Sequence, residues 1–318
     1  MIFGSYKFVI RLEDDAVLPY YKGSTFRGVL GHALKKVVCA LKQQKCPTCL
    51  LRENCNYSMI FETADAIAIP DGSRVSSAPS PLVLEPPVST RYEFKKGETL
   101  DCTLMLFGDI NRNLPYFVYA FQQMGEIGIG KTMNGKRSRF VLESVTFTSS
   151  GSKIYTNKSL SIAIPEALES LTLIEDADRV SSAISKITMQ IHTPLRIIAR
   201  KVPVANLPFP LLMRNIIRRT TALLNVYGDG EPDIDYSGLV SQADQITIAA
   251  NSLKWFDWKR YSSTQDKKMF MGGLVGKVEY QGDFTPFLPF MKMAEKVHIG
   301  KNTAFGLGKV SFVKVQES

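Results

Sequence analysis

Residues 125–132 read GEIGIGKT and satisfy the phosphate-cradling pattern G-x-x-x-x-G-K-[ST] letter for letter. Such a loop must leave a buried strand and open a helix, because its backbone N–H groups and the helix N-terminus hold the phosphates jointly. Here the order is reversed. The preceding segment, NRNLPYFVYAFQQM (111–124), has helical apolar spacing, and the following one, TMNGKRSRFVLESV (132–145), is too rich in glycine and basic residues to start a helix. LTLIED (171–176) could imitate the acidic strand that holds magnesium, but the loop's own context speaks against a nucleotide hydrolase.

A glycine-rich loop between a helix and a strand recurs later in the chain. Ile129-Gly130-Lys131 precedes Arg139 by the same spacing that Ile299-Gly300-Lys301 precedes Lys309, and each loop then enters an apolar strand. Around the first loop the order is a strand in YKFVIRLE (6–13) and a helix whose stripe is Phe26, Leu30, Ala33, Leu34, Val37 and Leu41. A cysteine-rich segment (39–55) and a Pro/Ser-rich loop at SSAPSPLVLEPP (76–87) follow, then a strand in ETLDCTLMLFG (98–108), the helix, the loop and a strand in RFVLESVTF (139–147). The second half repeats this with SKITMQIHTPLRII (185–198), a helix in PLLMRNIIRRTTALLNVYG (210–228), a strand in GGLVGKVEYQG (272–282), a helix in FTPFLPFMKMAEKV (284–297), the loop HIGKNTAFGLGK (298–309) and the strand VSFVKV (310–315). The predicted class is α+β: two tandem ferredoxin-like (RRM-like) domains with a C-terminal glycine-rich loop. The expected boundaries are 1–175, with the cysteine-rich insertion at 39–55, and 176–318, with the loop at 298–309.

The 318 residues, 45% hydrophobic and 22% charged, suffice for two cores. No apolar run approaches the roughly 18 residues of a membrane span, and MIFGSYKFVIRLEDD meets acid too early for a signal peptide. A soluble, cytoplasmic protein with no membrane partner is expected. The net charge is +9 and the pI about 9.2. From Arg179 to Gly228 the chain carries Arg179, Lys186, Arg196, Arg200, Lys201, Arg214, Arg218 and Arg219 and no acid, a distribution suited to a polyanion.

Several blocks in one order resemble a known family. They are PYYKGSTFRGVLGHALKK (19–36), C-x6-C-x2-C-x5-C with Y-x3-FE (39–62), TPLR (193–196), IIRR (216–219), W-x2-W-x-RYS (255–262), GGLVGKVEYQG and the terminal loop. Together they resemble the RAMP-type CRISPR-associated endoribonucleases that process precursor CRISPR RNA, the sixth Cas family. RYSSTQ departs from that pattern, which would carry another basic residue before Gln265. The resemblance implies binding of a precursor CRISPR RNA repeat and cleavage by 2′-OH attack. The products would be a 5′-OH and a cyclic or terminal phosphate, with no catalytic metal and with other CRISPR effector subunits as further partners. A non-catalytic RNA-binding scaffold of the same fold is the alternative.

That chemistry needs a base, an acid and cations. On a helical wheel His32 points away from the apolar stripe, and Lys35 and Lys36 at i+3 and i+4 share its side. The resemblance places a catalytic histidine on or near this helix, so His32, Lys36 and Tyr21 are the candidate catalytic residues, with Tyr20 beside Tyr21 able to stack a base. Candidate RNA contacts are Lys131, Arg196, Arg214, Arg218, His298, Gly300, Lys301, Gly306, Gly308 and Lys309. Arg214 and Arg218 share one helix side, and the loop glycines could expose an anion-binding nest beside Lys301 and Lys309. His298 could contact RNA or cap the preceding helix, and His192 could satisfy a buried partner. Cys39, Cys46, Cys49 and Cys55 could hold a structural zinc ion or an iron–sulfur cluster, or be reduced thiols.

Overall fold

The computed structural model describes residues 1–159, 161–165, 167–173, 185–199, 202–204, 206–256, 259–262 and 267–314. Arg179, Arg200, Lys201, Trp258, the departure at 263–265 and the acidic end of LTLIED therefore lie outside the described residues or side chains. Two compact units emerge: Met1–Ser170 with Val226–Gly228, and Leu171–Asn225 with Asp229–Ser318.

In the first unit the order is β1 (Ile2–Leu12), α1 (Gly23–Val38), β2 (Leu82–Glu85), β3 (Thr99–Phe107), α2 (Leu114–Ile127), β4 (Phe140–Phe147) and β5 (Lys153–Thr156). The antiparallel sheet runs β2-β3-β1-β4-β5. Its first four strands are thus the second, third, first and fourth of a β-α-β-β-α-β unit, the ferredoxin-like order. Period-two alternation puts Tyr6, Phe8, Ile10 and Leu12 in the core, where Phe8 stacks on Phe121 of α2 with ring centroids 4.1 Å apart. Phe26, Leu30, Ala33 and Leu34 give α1 the buried stripe that its spacing predicts.

Two boundaries differ from expectation. Strand β2 lies inside the segment expected to be a Pro/Ser-rich loop, because Leu82, Val83 and Leu84 are all buried and pair with β3 in the register Leu82↔Leu106. Prolines flank the run without interrupting it, and three apolar residues are too few to declare a period. Helix α1 ends at Val38, so Leu41 falls beyond the stripe, and Cys39 is the extended capping residue. The insertion then holds two 3-10 turns, Cys46–Thr48 and Arg52–Asn54, and a short helix, Asn56–Phe61, follows it.

The second unit repeats the order with β6 (Lys186–Leu195), α3 (Phe209–Tyr227), β7 (Thr247–Asn251), β8 (Lys254–Phe256), β9 (Gly273–Gln281), α4 (Leu288–Val297) and β10 (Val310–Lys314). Its sheet runs β7-β9-β6-β10, with β8 also paired to β9. Phe209 anchors this core, meeting Tyr280, Phe284 and Phe287 edge-on at 5.1, 5.5 and 5.2 Å. Among the described residues no helix is long and apolar enough to cross a membrane.

A buried polar knot joins β1 to the turn before α2. Asn111 accepts the Tyr6 hydroxyl on Oδ1 at 3.0 Å and donates from Nδ2 to the carbonyls of Leu106 (3.1 Å) and Gly108 (2.9 Å). Burial pushes the Tyr6 phenol up to about 12, so it stays a donor. Asn111→Ala leaves these groups without their partner and is expected to cost about 2–4 kcal/mol of stability. Denaturant midpoints check this; a loss below about 0.5 kcal/mol would show that the knot does not hold the turn.

Candidate nucleic-acid interface

The exposed side of α1 presents Gly28, His32, Lys35 and Lys36 at helical spacing, opposite the buried stripe. His32 is therefore open to solvent, and Gly28, one turn earlier, has nothing within 4 Å of where a side chain would begin. The two lysines diverge. Lys35 lies over the Tyr57 ring at 5.0 Å; burial lowers its pKa, but hydrogen bonding to Cys46 and the nearby Cys46, Tyr57 and Cys39 together hold it above its usual value. Lys36 remains exposed beside His32. Tyr21 is half-buried, and burial together with the charge of Glu85 pushes its phenol far up, so it keeps its proton and acts only as a hydrogen-bonding hydroxyl.

The N-cap of α1 is Lys22, a residue that helical patterning passes over. It is 1% exposed. Its three N–H groups are shared among the carbonyls of Pro19 (3.2 Å), Tyr20 (3.3 Å), Ser89 (2.5 Å) and Arg91 (2.9 Å), and the ammonium stands 5.3 Å from the Phe94 ring. Burial, with a contribution from Arg91, pulls its pKa down to about 8. One cation thus binds the chain entering α1 to a loop segment nearly seventy residues away, next to the ribbon Ala16↔Phe94, Val17↔Glu93. The ribbon continues through Leu18, whose N–H donates to the Tyr92 carbonyl at 2.8 Å.

The opening motif sits against the same ribbon. Helix α2 ends at Ile127, Gly128 caps it at φ 79°, and Ile129–Met133 pairs with Lys136–Ser138 as a hairpin. No helix opens at Lys131, so the P-loop geometry is absent. The turn is Asn134-Gly135 with both φ positive (49° and 78°), the usual two-residue hairpin signal, and the hairpin holds Lys131, Lys136 and Arg137 in solvent. Gly130, at φ 81°, lies so close to the ribbon that a methyl group there would sit 2.5 Å from the Val17 carbonyl oxygen and 2.9 Å from Leu18.

The second unit solves the same problem at the same offset. Ile299 is fully buried like Ile129; Gly300, at φ 83°, would place a methyl group 2.7 Å from the Arg196 carbonyl oxygen and 2.9 Å from Leu195; and Lys301 is exposed like Lys131. His298 takes the place of Gly128 at φ 54°. Its expected contact with RNA is corrected: the side chain is 0% exposed and Nδ1 lies 3.0 Å from the Leu307 carbonyl, so it braces the loop from inside. The anion-nest reading is corrected too. Gly306 and Gly308 are buried, and N–H groups of Ile299, Lys301, Phe305, Gly306 and Gly308 donate to backbone carbonyls while that of Lys309 donates to Thr193 Oγ1. These glycines serve close packing; Gly308 lies directly against the Ile299 carbonyl.

Of the other expected contacts, Arg214 and Arg218 are both exposed on α3, and Arg218 reaches Asn215 Oδ1 at 3.1 Å. Arg196 is half-buried and donates to the Gly272 carbonyl at 3.1 Å, and Lys309 is half-buried. His192 is exposed, not buried, with Nε2 2.7 Å from Ser311 Oγ. The four cysteines expected to share a metal are not assembled: among the described residues no group of three or more His, Cys, Asp or Glu is placed to hold an ion. Cys39 caps α1, Cys46 and Cys49 bracket a 3-10 turn, Cys55 precedes another helix, and the Lys35 ammonium occupies the ground beside Cys46 and Cys39.

Comparison with known proteins supplies the family. The model of the CRISPR-associated endoribonuclease Cas6 matches residues 189–310, and that of the N-terminal domain AF_1859_N matches residues 1–167. Residues 189–310 thus carry a Cas6 domain, and the chain is a CRISPR-associated, Cas6-like protein of the RAMP fold. An uncharacterized protein of Archaeoglobus fulgidus is 27% identical over 295 residues, covering 92% of this chain and 91% of that one. The fold resembles Thermus thermophilus Cas6 (TM-score 0.56, 12% identity, 98% of each chain) and a partial Cas6–RT–Cas1–Cas2 complex (TM-score 0.59, 15% identity, 99% of this chain and 46% of that one).

In this Cas6-like protein the surface of the first unit is therefore organised around Lys22. The substitution Lys22→Met keeps most of the stem but leaves four carbonyl oxygens without their donor, and is expected to destabilise the fold by about 2–4 kcal/mol. A folded-state pKa near 8, below the ordinary 10.5, means that the native state releases this proton first. Stability of the wild type relative to Lys22→Met should then rise between pH 8 and 10.5, as paired denaturant titrations would show. A difference flat with pH would place the ammonium in water.

Proposed function

We propose that this protein binds precursor CRISPR repeat RNA and cuts it by attack of a ribose 2′-OH on the adjacent phosphate. The observation that carries this reading is the exposed stripe of α1, where His32 stands clear of the core with Lys36 one turn on. His32 removes the 2′-OH proton as the 2′-oxygen bonds to phosphorus, and Lys36 offsets the charge that builds on the phosphorane oxygens. The P–O5′ bond then breaks and the leaving oxygen takes up a proton from water, giving a 2′,3′-cyclic phosphate and a 5′-OH. No step calls for a metal ion. Tyr21 contributes only as a hydrogen-bonding hydroxyl.

Exposed cations on the hairpin (Lys131, Lys136, Arg137), on α3 (Arg214, Arg218) and at Lys301 supply phosphate contacts. His32→Ala is expected to lower the cleavage rate of the host's own repeat RNA at least 100-fold while leaving its affinity within about threefold. Single-turnover rates and filter binding measure both. Retained cleavage removes His32 from catalysis, and a wild type that binds the repeat but never cuts it is a scaffold subunit. Affinity should fall steeply with salt, and the double substitution Lys136→Ala, Arg137→Ala should flatten the log–log slope by roughly 1.4 if each residue contacts a phosphate of single-stranded RNA.

A further inference from the structure

Two large aromatic side chains sit at the surface on the frame that Lys22 builds. Tyr20 is 40% exposed and Tyr92 56% exposed. Their ring centroids are 6.4 Å apart with planes inclined at 52°, so they form one continuous aromatic patch from segments 72 residues apart in sequence. Patterning accounts for neither ring: both flank the helix and strand stripes that make the core. We propose that Tyr20 and Tyr92 form a stacking site for one unpaired nucleobase of the bound RNA.

Three features favour a base over other ligands. The main chain that carries the rings is held in place before any ligand arrives. The Lys22 ammonium fixes the Tyr20 carbonyl at 3.3 Å and the Arg91 carbonyl, next to Tyr92, at 2.9 Å, while the Tyr92 carbonyl accepts the Leu18 N–H at 2.8 Å. The backbone beneath both rings is therefore ordered in the free protein, and stacking does not have to supply that part of the cost. The ribbon at Val17 and Leu18 that carries Tyr92 also carries Gly130, whose neighbour Lys131 is exposed, so a phosphate-binding cation accompanies the aromatic patch. Tyr20 also stands just ahead of α1, and nine residues of helix separate Gly23 from His32, about 14 Å at 1.5 Å per residue. A base on the patch thus belongs to a nucleotide close to the cut, where its placement sets which phosphate meets His32.

This site rests on the RNA-binding reading above, and the experiment separates the two. The probe is the host's CRISPR repeat RNA with a 2′-deoxy nucleotide at its mapped cut, bound by the full chain as wild type, Tyr20→Leu, Tyr92→Leu and Tyr92→Phe. A single 2-aminopurine replaces each unpaired base in turn. Each Leu variant is expected to bind about tenfold more weakly, with an unchanged salt slope, while Phe restores binding. One 2-aminopurine position should be quenched in the wild type and recover its emission in Tyr92→Leu. Folded Leu variants that bind within twofold of the wild type, with no position changing emission, overturn the aromatic site alone. A wild type that binds no RNA overturns the RNA-binding reading and this site with it.

Discussion

The ammonium of Lys22 is the constraint on which the surface of the first unit depends. A lysine taken out of water loses several kcal/mol of hydration, and it remains buried only where acceptors replace that water. Here backbone carbonyls from two distant segments do so, and the exchange fixes the path of both. The chain entering α1, the ribbon beside it and the glycine hairpin that rests on the ribbon become one rigid frame. The helix that carries His32 starts on that frame. An apolar residue at this position could fill the volume, yet it would give the two segments no common donor.

Both glycine-rich loops owe their composition to packing. In each unit a helix ends at a residue with positive φ, an isoleucine turns fully inward, and a glycine passes within methyl-excluding distance of a carbonyl oxygen, Val17 in one case and Arg196 in the other. The lysine that follows is then placed in solvent in both. Such agreement in conformation, burial and close approach is stronger support for duplication than the shared letters. It also explains how a phosphate-loop pattern arises where no phosphate loop exists: glycines that let backbones touch look the same in sequence as glycines that let a backbone touch a nucleotide.

Much of the fold was legible in the sequence because its helices carry clean apolar stripes. Phe26, Leu30, Ala33 and Leu34 point to one face of α1, and by the same token leave His32 on the other. Strand β2 was not legible, since Leu82–Leu84 is a short run between prolines that becomes a strand only when β3 is beside it. The surface is less legible in the sequence than the core. Lys22 looks like any helix-start lysine until the Ser89 and Arg91 carbonyls arrive from far along the chain, and Tyr92 gives no local sign of meeting Tyr20. His298, placed by its neighbours at the mouth of a loop, is turned inward by a positive φ that its residue type does not announce. The Asn134-Gly135 pair is the sequence signal for the hairpin and hence for the exposure of Lys136 and Arg137.

Central to this account is a reaction carried by the protein's own side chains and the 2′-OH of its RNA. Product-end analysis after incubating the wild-type protein with its host's repeat RNA in excess EDTA tests it most directly. Cleavage is expected at one position, leaving a 5′-OH on one fragment and a 2′,3′-cyclic phosphate, or the monophosphate derived from it, on the other. Cleavage that EDTA abolishes, or that leaves a 5′-phosphate, would contradict it.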